Sequence, residues 1–346
     1  MGQGKQPTRL LLPMAIKTAA VQPTRLGVGS QSGRFLTLDV KKARRVLSPV
    51  VSRFHPGVPV KRPAIQTSVY DSPKMAPYRV TALGDLDIRA PGLTATDPAG
   101  NASDVFANIL VDDTTDLSDI IYRRIELFAS QILFTGRVRY RLDGGEYEEF
   151  GFGPGVPNVY NPSIPWDQPT AQPITDLKAV RSQIIRNTGQ APDVVVFSDR
   201  TADLFTGNQQ VLDHLNKLHF VVGQIEPTRP TGTAQWLGRL LLPALEMWAY
   251  SESYIDEYDG ETVSDFVPPW AAIVGTTQPS GFTYFGSASQ VAGDQGFEEA
   301  YGVQLVPRLW YDEHNETADY RLQCRATLCP WDVASWTVIN CMCMRI

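Results

Sequence analysis

The stretch Asp116–Arg137, DLSDIIYRRIELFASQILFTGR, limits what this chain can fold into more than any other. It is the longest segment, free of Gly and Pro as far as Thr135, that keeps a clear helical period. Leu117, Ile121, Ile125, Phe128 and Ile132 follow one another at steps of four, four, three and four, which draws one apolar stripe along a helix. Thr115 or Asp116 suits its start as a cap, and Arg137 and Arg139 suit the negative end of its dipole. Such a helix runs about 30 Å, the width of a small domain. Ile120, Leu127 and Leu133 lie off the stripe, so the helix is expected to be covered on more than one side. Elsewhere 27 Gly and 26 Pro break the chain into short β-type runs. The expectation is an α+β protein with one long helix as its spine.

At 346 residues, 43% hydrophobic and 20% charged, the chain has the material for a sizeable core and for two domains. Its formal net charge is −6, but the charges are unevenly placed. Residues 1–62 carry twelve lysines and arginines against Asp39 alone, so the remainder is strongly acidic. A basic arm on an acidic body can pair with nucleic acid or with acidic surfaces of its own kind. Charge alone equally suits a solvated N-terminus. Leu10–Ile16 is too short and too proline-marked for a signal core, and no apolar run approaches the ~20 residues of a membrane helix. A soluble protein without membrane partners, made in a cytoplasm, is expected.

The chain lacks the motifs of the common enzyme classes. It contains no GxSxG elbow, Walker loop, GxGxxG, HExxH or EF-hand loop. The pairs Asp85/Asp87 and Asp112/Asp113 could be cast as the carboxylates of a carbohydrate hydrolase, but as acidic pairs on loops they read as surface. Asp256, Glu257, Asp259 and Glu261 read as a solvated turn, and Asp312-Glu313-His314 as a hairpin tip. The sequons at Asn101 and Asn315 matter only in a secreted protein. Cys324, Cys329, Cys341 and Cys343 are spaced CxxxxC and CxC, which matches no common zinc pattern and suits packed thiols. No cofactor, metal or catalytic residue is expected.

Along the chain, residues 1–34 read as an extended arm. Residues 46–92 then offer VLSPVVSRF, AIQTSVYD and YRVTALGDLDI, suited to a two-stranded ribbon that needs a neighbour to lie on. After the spine helix, Gly144-Gly145 signals a two-residue hairpin, which would set Arg141 opposite Glu148 and Leu142 opposite Tyr147. Arg137, Arg139 and Arg141 share a face there, pairing with the glutamates. The proline-rich run from Gly153 to Pro173 suggests a domain boundary. Beyond it a helix begins at Thr175-Asp176 with Leu177, Val180 and Ile184 on one stripe and Gly189 past its end. Asp193–Phe197 is a buried strand, and Arg200–Leu218 is mostly helical. The turn Phe197–Arg200 lacks the glycines of a phosphate site. Strands return from Leu240 to the end.

In its order of elements and local strings the chain resembles the lambda-type (phage E-family) major capsid proteins, which have the HK97-like fold. The resemblance covers about residues 35–343 and rests on four co-linear strings. These are YRRIELFASQILFTGRVRYR leading into a hairpin, DVVVFSDRTADLFTGNQQVLDHLN, WAYSESYIDEYDGETVSDFVPPWAAIVGTTQPSGFTYFG, and YGVQLVPRLWYDEHNETADYRLQCRATLCPW.

The resemblance implies a major capsid protein of a tailed double-stranded DNA phage. It would assemble as hexamers and pentamers into an icosahedral head in the host bacterial cytoplasm and end in the virion. It implies an N-terminal arm (1–45), an E-loop ribbon (46–100), a peripheral domain (101–170 with 297–346, spine helix 116–137) and an axial domain (171–296). Implied partners are further copies of itself, decoration, scaffolding and portal proteins, and packaged DNA bound without sequence preference. Lys61, Lys74 and Asn340 carry no matching cross-link motif, so no covalent cross-linking of subunits is expected. Residues expected at subunit contacts are Arg44, Arg45, Arg53 and Lys61 on arm and ribbon, and Arg123 and Arg124 on the helix face away from its stripe. An encapsulin-like cellular compartment shares the fold, and a monomeric hydrolase is the alternative of another class.

Overall fold

The computed structural model describes residues 35–41, 65–82, 102–142, 144–151, 157–217, 234–240, 243–256, 262–276, 281–285, 288–291, 297–300, 305–330 and 334–342. The first half holds β1 (Phe35–Lys41), β2 (Ile65–Asp71), β3 (Tyr78–Ala82), α1 (Ala102–Thr135), β4 (Arg137–Arg141), β5 (Tyr147–Gly151) and β6 (Asn158–Tyr160). Then come α2 (Pro173–Thr188), β7 (Val194–Phe197), α3 (Asp199–Thr206), α4 (Gln209–Lys217), β8 (Ala234–Leu240), β9 (Leu245–Tyr250), β10 (Ser253–Ile255) and β11 (Val263–Asp265). The last third is all strand: β12 (Ala271–Gly275), β13 (Gly281–Phe285), β14 (Ala288–Val291), β15 (Phe297–Ala300), β16 (Val306–Asp312), β17 (Thr317–Gln323), β18 (Ala326–Pro330) and β19 (Thr337–Asn340).

A six-stranded mixed sheet in the order β6-β19-β12-β7-β9-β8 divides two hydrophobic clusters. Its central strands, β7 (VVVF) and β12 (AAIVG), are buried at every position, as strands covered on both faces must be. The two-residue period assigns the side chains. Val194, Val196, Ala271, Ile273 and Val338 enter the cluster that contains α1, while Val195, Phe197, Ala272, Val274 and Ile339 enter the one that contains α2, α3 and α4. In the second cluster Phe197 stacks on Phe205 at 5.1 Å, with Trp166 near 6 Å from both. Trp166 anchors the proline-rich connection: its ring N–H donates to Asp176 and its backbone N–H to the Cys341 carbonyl. β6 lies in the same connection and pairs in parallel with β19, so the run that reads as irregular is bound into the sheet.

The spine helix differs from its expected bounds. The stripe Leu117, Ile121, Ile125, Phe128 and Ile132 is buried as expected, and so are Leu127 and Leu133, whereas Ile120 is exposed. The helix, however, spans 34 residues from Ala102 to Thr135 rather than 116–137. Thr115 and Asp116 are interior, and Arg137 and Arg139 belong to β4. The added turns are stabilised by polar contacts that no apolar period announces. The Thr114 and Thr115 hydroxyls donate to the Leu110 and Val111 carbonyls. Arg79 of β3 bridges Asp113 and Asp116. The pair Asp112/Asp113 is therefore helical rather than on a loop, and Asp113 is buried. At the other end Gly136, at φ 68°, donates its N–H to the Ile132 carbonyl, a left-handed cap that turns the chain directly into β4.

The β4–β5 hairpin is shifted one residue from expectation: Arg141 lies opposite Tyr147 and Tyr140 opposite Glu148. The Gly145 N–H donates to the Leu142 carbonyl, and the Leu142 N–H donates to the Glu146 carbonyl. With Gly145 at φ 86°, this is a three-residue loop with a left-handed third position, not a two-residue turn on Gly144-Gly145. Helix α2 starts two residues earlier than expected, with Pro173 in its first turn. It ends at Gly189, whose φ is 79° and whose N–H caps the Ile185 carbonyl.

A three-stranded sheet packs on α1. β16, β17 and β3 form an antiparallel three-stranded sheet, in which β3 pairs with a strand over 230 positions later in the chain. β1 pairs with β2 and with no other described strand. The partner of Ile65–Asp71 thus comes from Phe35–Lys41, upstream of the 46–92 stretch.

Candidate assembly surface

The exposed chemistry of the described residues lies on faces, hairpins and edges rather than in an enclosed site. The three-stranded sheet is tied to α1 by polar contacts. Arg79 Nη1 is 2.5 Å from Asp113 and Nη2 is 3.0 Å from Asp116, and these carboxylates hold the guanidinium in its charged form. The Thr114 and Tyr320 hydroxyls are hydrogen-bonded at 2.9 Å. This leaves the N-terminal turns of α1 open on their other side, with Val111 65% exposed.

The β10–β11 hairpin presents Ile255 directly opposite Val263, both about 60% exposed. It is held by Tyr254 against Phe266 at 5.1 Å and by Arg124, whose two terminal nitrogens sit 3.1 and 3.3 Å from the Asp256 carboxylate. On the neighbouring β4–β5 hairpin Arg137 pairs with Glu149 at 3.0 Å, the Tyr140 hydroxyl donates to Glu148, and Arg139 lies over the exposed Tyr147 ring. Between the hairpins is an open cleft of about 280 Å³ lined by Arg124, Gln131, Arg139, Arg141, Tyr254 and Asp256 among others. The outer strands of the large sheet carry exposed apolar residues, Trp236 on β8 and Val159 on β6.

Of the residues expected at contacts, Arg123 is exposed on α1 and Arg124 is half-buried in its pair with Asp256. Arg44, Arg45, Arg53 and Lys61 lie outside the described residues. Sequence reading missed Arg79 and the apolar tips of β10 and β11. The sequence places a hairpin tip at Asp256–Glu261, and the strands SYI and VSD are too short to show which of their side chains stay exposed.

Cys324 and Cys341 are buried in different clusters. Burial pushes the Cys324 thiol up to about 12 and raises Cys341 as well. The side chains of Cys329 and Cys343 lie outside the described residues. At the β16–β17 tip the Asp312 carboxylate accepts from Asn315 Nδ2 and from the His314 and Asn315 backbone N–H groups. These bonds hold it below the usual carboxylate range. Among the described residues no group of three or more His, Cys, Asp or Glu could hold a metal ion, and no helix is long and apolar enough to cross a membrane.

A mixed fold that spends its exposed apolar and charged groups on open faces, hairpins and strand edges is that of a structural protein working through contacts. Residues 28–337 match the family described as phage major capsid protein E, and the chain belongs to that family. Its α+β architecture is the HK97-like capsid fold. A crystal structure provisionally described as the capsid protein of a prophage in E. coli CFT073 superposes with a TM-score of 0.64 at 16% identity, covering 94% of this chain and 87% of that one. The capsid of Myoviridae phage XM1 gives a TM-score of 0.45 at 7% identity, covering 94% of this chain and 96% of its own. That of cyanophage P-SCSP1u gives 0.46 at 8%, covering 89% and 84%. No curated protein sequence matches.

Proposed function

We propose that this phage capsid protein builds the icosahedral head of a tailed double-stranded DNA phage, assembling as hexamers and pentamers around the packaged genome. The observation that carries this reading is the family match across residues 28–337. Residues 101–170 with 297–346 form the peripheral domain, with α1 as its spine, and residues 171–296 form the axial domain. The six-stranded sheet takes strands from both segments. The arm and the ribbon that includes β2 lie over neighbouring subunits. A two-stranded sheet such as β1–β2, hydrogen-bonded to no other described strand, is marginal in water and gains stability where a large interface covers it.

Arg44, Arg45, Arg53, Lys61, Arg123 and Arg124 are contact residues in this reading. Scaffolding, portal and decoration proteins are its further partners, and the subunit assembles in the host bacterial cytoplasm. The subunit acts by shape and contact, not by catalysis.

The test is negative-stain electron microscopy of the purified recombinant protein after sizing. Closed shells or free hexamers are expected, with nucleic acid inside shells made during infection. Shells filled with a protein cargo would mark a cellular compartment instead. A chain that stays monomeric even with its neighbouring phage genes co-expressed would overturn the reading.

A further inference from the structure

Alternation along β4 puts Arg137, Arg139 and Arg141 on one face of the β4–β5 hairpin, where the register sets Glu149 opposite Arg139 and Tyr147 opposite Arg141. Glu148 falls on the other face and accepts from the Tyr140 hydroxyl. Three cations therefore share a face on which the two strands carry a single carboxylate. That carboxylate, Glu149, is engaged by Arg137 at 3.0 Å. Arg139 forms no ion pair among the described residues. Its guanidinium stands instead over the exposed Tyr147 ring, 4.3 Å from the centroid. Stacking uses the flat side of a guanidinium and leaves its N–H edge for hydrogen bonds.

Arg139 lines the cleft of about 280 Å³ between the β4–β5 and β10–β11 hairpins, where Arg124 and Arg141 join it. The acceptors of this lining are engaged within the subunit. The Gln131 amide nitrogen donates to the Arg139 carbonyl and its amide oxygen accepts the Arg139 N–H, so one side chain pins β4 to α1. Both oxygens of Asp256 accept from the terminal nitrogens of Arg124. An open concave surface lined by cations concentrates anions. With its acceptors engaged, it suits a ligand that accepts hydrogen bonds and donates none.

We propose that this cleft holds a phosphate of the packaged DNA, with Arg139 as the principal contact and Arg124 and Arg141 as flanking charges. The proposal rests on the shell reading above. A phosphodiester brings acceptors alone and matches the guanidinium fork whatever the base sequence. A polypeptide segment would bring backbone N–H groups that need acceptors of their own. A lone carboxylate would fill little of the cleft, whereas a phosphate enters with its sugar. The chain beyond residue 62 is acidic, so its contacts with DNA must be built from local groups of cations.

The test is arginine footprinting with a dicarbonyl reagent, read by peptide mapping. It compares free subunit, DNA-filled heads and the same heads emptied of DNA. Arg139 should react in the free subunit and in emptied heads and be protected in filled ones. For a random-sequence duplex bound to the subunit, Arg139→Gln, at an exposed position, should lower the slope of log affinity against log salt by about 0.9. Arg186→Gln, on the exposed side of α2, should leave that slope unchanged.

Protection already complete in emptied heads would assign the cleft to a neighbouring copy. Protection by millimolar inorganic phosphate but not by packaged DNA would mark a site for a small anion. Equal reactivity in all three states, or a salt slope unmoved by Arg139→Gln, would show that DNA does not enter the cleft. Each of these results would overturn the DNA proposal and leave the shell reading intact. Wild-type chain that never forms shells would overturn the shell reading itself.

Discussion

The six-stranded sheet and the three-stranded sheet use strands of similar length for opposite ends. In the first, β7 and β12 are buried on both faces, between α1 on one side and α2, α3 and α4 on the other. In the second, one face packs on α1, while the other shows Tyr78, Val80 and a cluster of cations. A strand buried on both faces gains its stability within the subunit. A strand buried on one face keeps apolar area exposed on the other. A capsid subunit needs both kinds, a core that folds alone and faces that are completed by assembly.

The largest effect that separates the two sheets is expected in the closed one. Phe197→Ala removes a ring that touches both Phe205 and Trp166 and should cost about 3–5 kcal/mol, read as a lower denaturation midpoint of the subunit. Tyr78→Ala on the open sheet should change that midpoint by only about 0.5 kcal/mol while lowering shell yield. Equal loss of subunit stability in both variants would erase the distinction.

Arg79→Ala comes next. It leaves the buried Asp113 carboxylate without its cation and should destabilise the subunit by about 1–3 kcal/mol, with hydrogen exchange rising first in the N-terminal turns of α1. Uniform exchange across α1 would show that these turns do not depend on β3.

The thiols probe closure without mutation. With burial holding Cys324 near 12 and Cys341 above its ordinary value, both should stay unmodified by alkylating reagent at pH 8 in the native subunit and react on denaturation. Labelling of Cys341 in native protein would mean that the edge of the large sheet opens.

Arg124→Ala breaks a partly exposed pair with Asp256 and should cost only about 0.2–1 kcal/mol, less at high salt. The smallest effect is at the Asp312 turn. The folded pKa of this carboxylate is depressed, so its contribution is present above the unfolded value and is lost as pH falls through the folded one. The His314 and Asn315 amide resonances should therefore titrate below the usual carboxylate range.

Much of this division is written in local pattern. The unbroken apolar runs of β7 and β12, the stripe from Leu117 to Ile132 and the stop at Gly189 all follow from burial periodicity and backbone permissiveness, which act over a few residues. The first fourteen residues of α1 carry no such pattern. Their threonines and aspartates favour caps and turns in isolation, and Asp113 finds its counter-charge on Arg79, a strand away. The hairpin register turned on one residue, because Gly145 takes the left-handed position and Leu142 pairs with Glu146 rather than Tyr147. The expected contact arginines of the arm and ribbon lie outside the described residues, whereas Lys74, Arg308, Arg321 and Arg325 show no motif in the linear chain.

The sequence by itself determined the apolar stripe of α1, the helix α2 and its stop at Gly189, the buried runs of β7 and β12, and the resemblance to a capsid family, since each is a property of short windows or their order. Only the tertiary structure decided that β3 pairs with β17, which brings Lys74 and Tyr78 to the arginines of β16 and β17. Strand pairing across more than two hundred residues is chosen by the fit of whole faces to one another, and no local period records it.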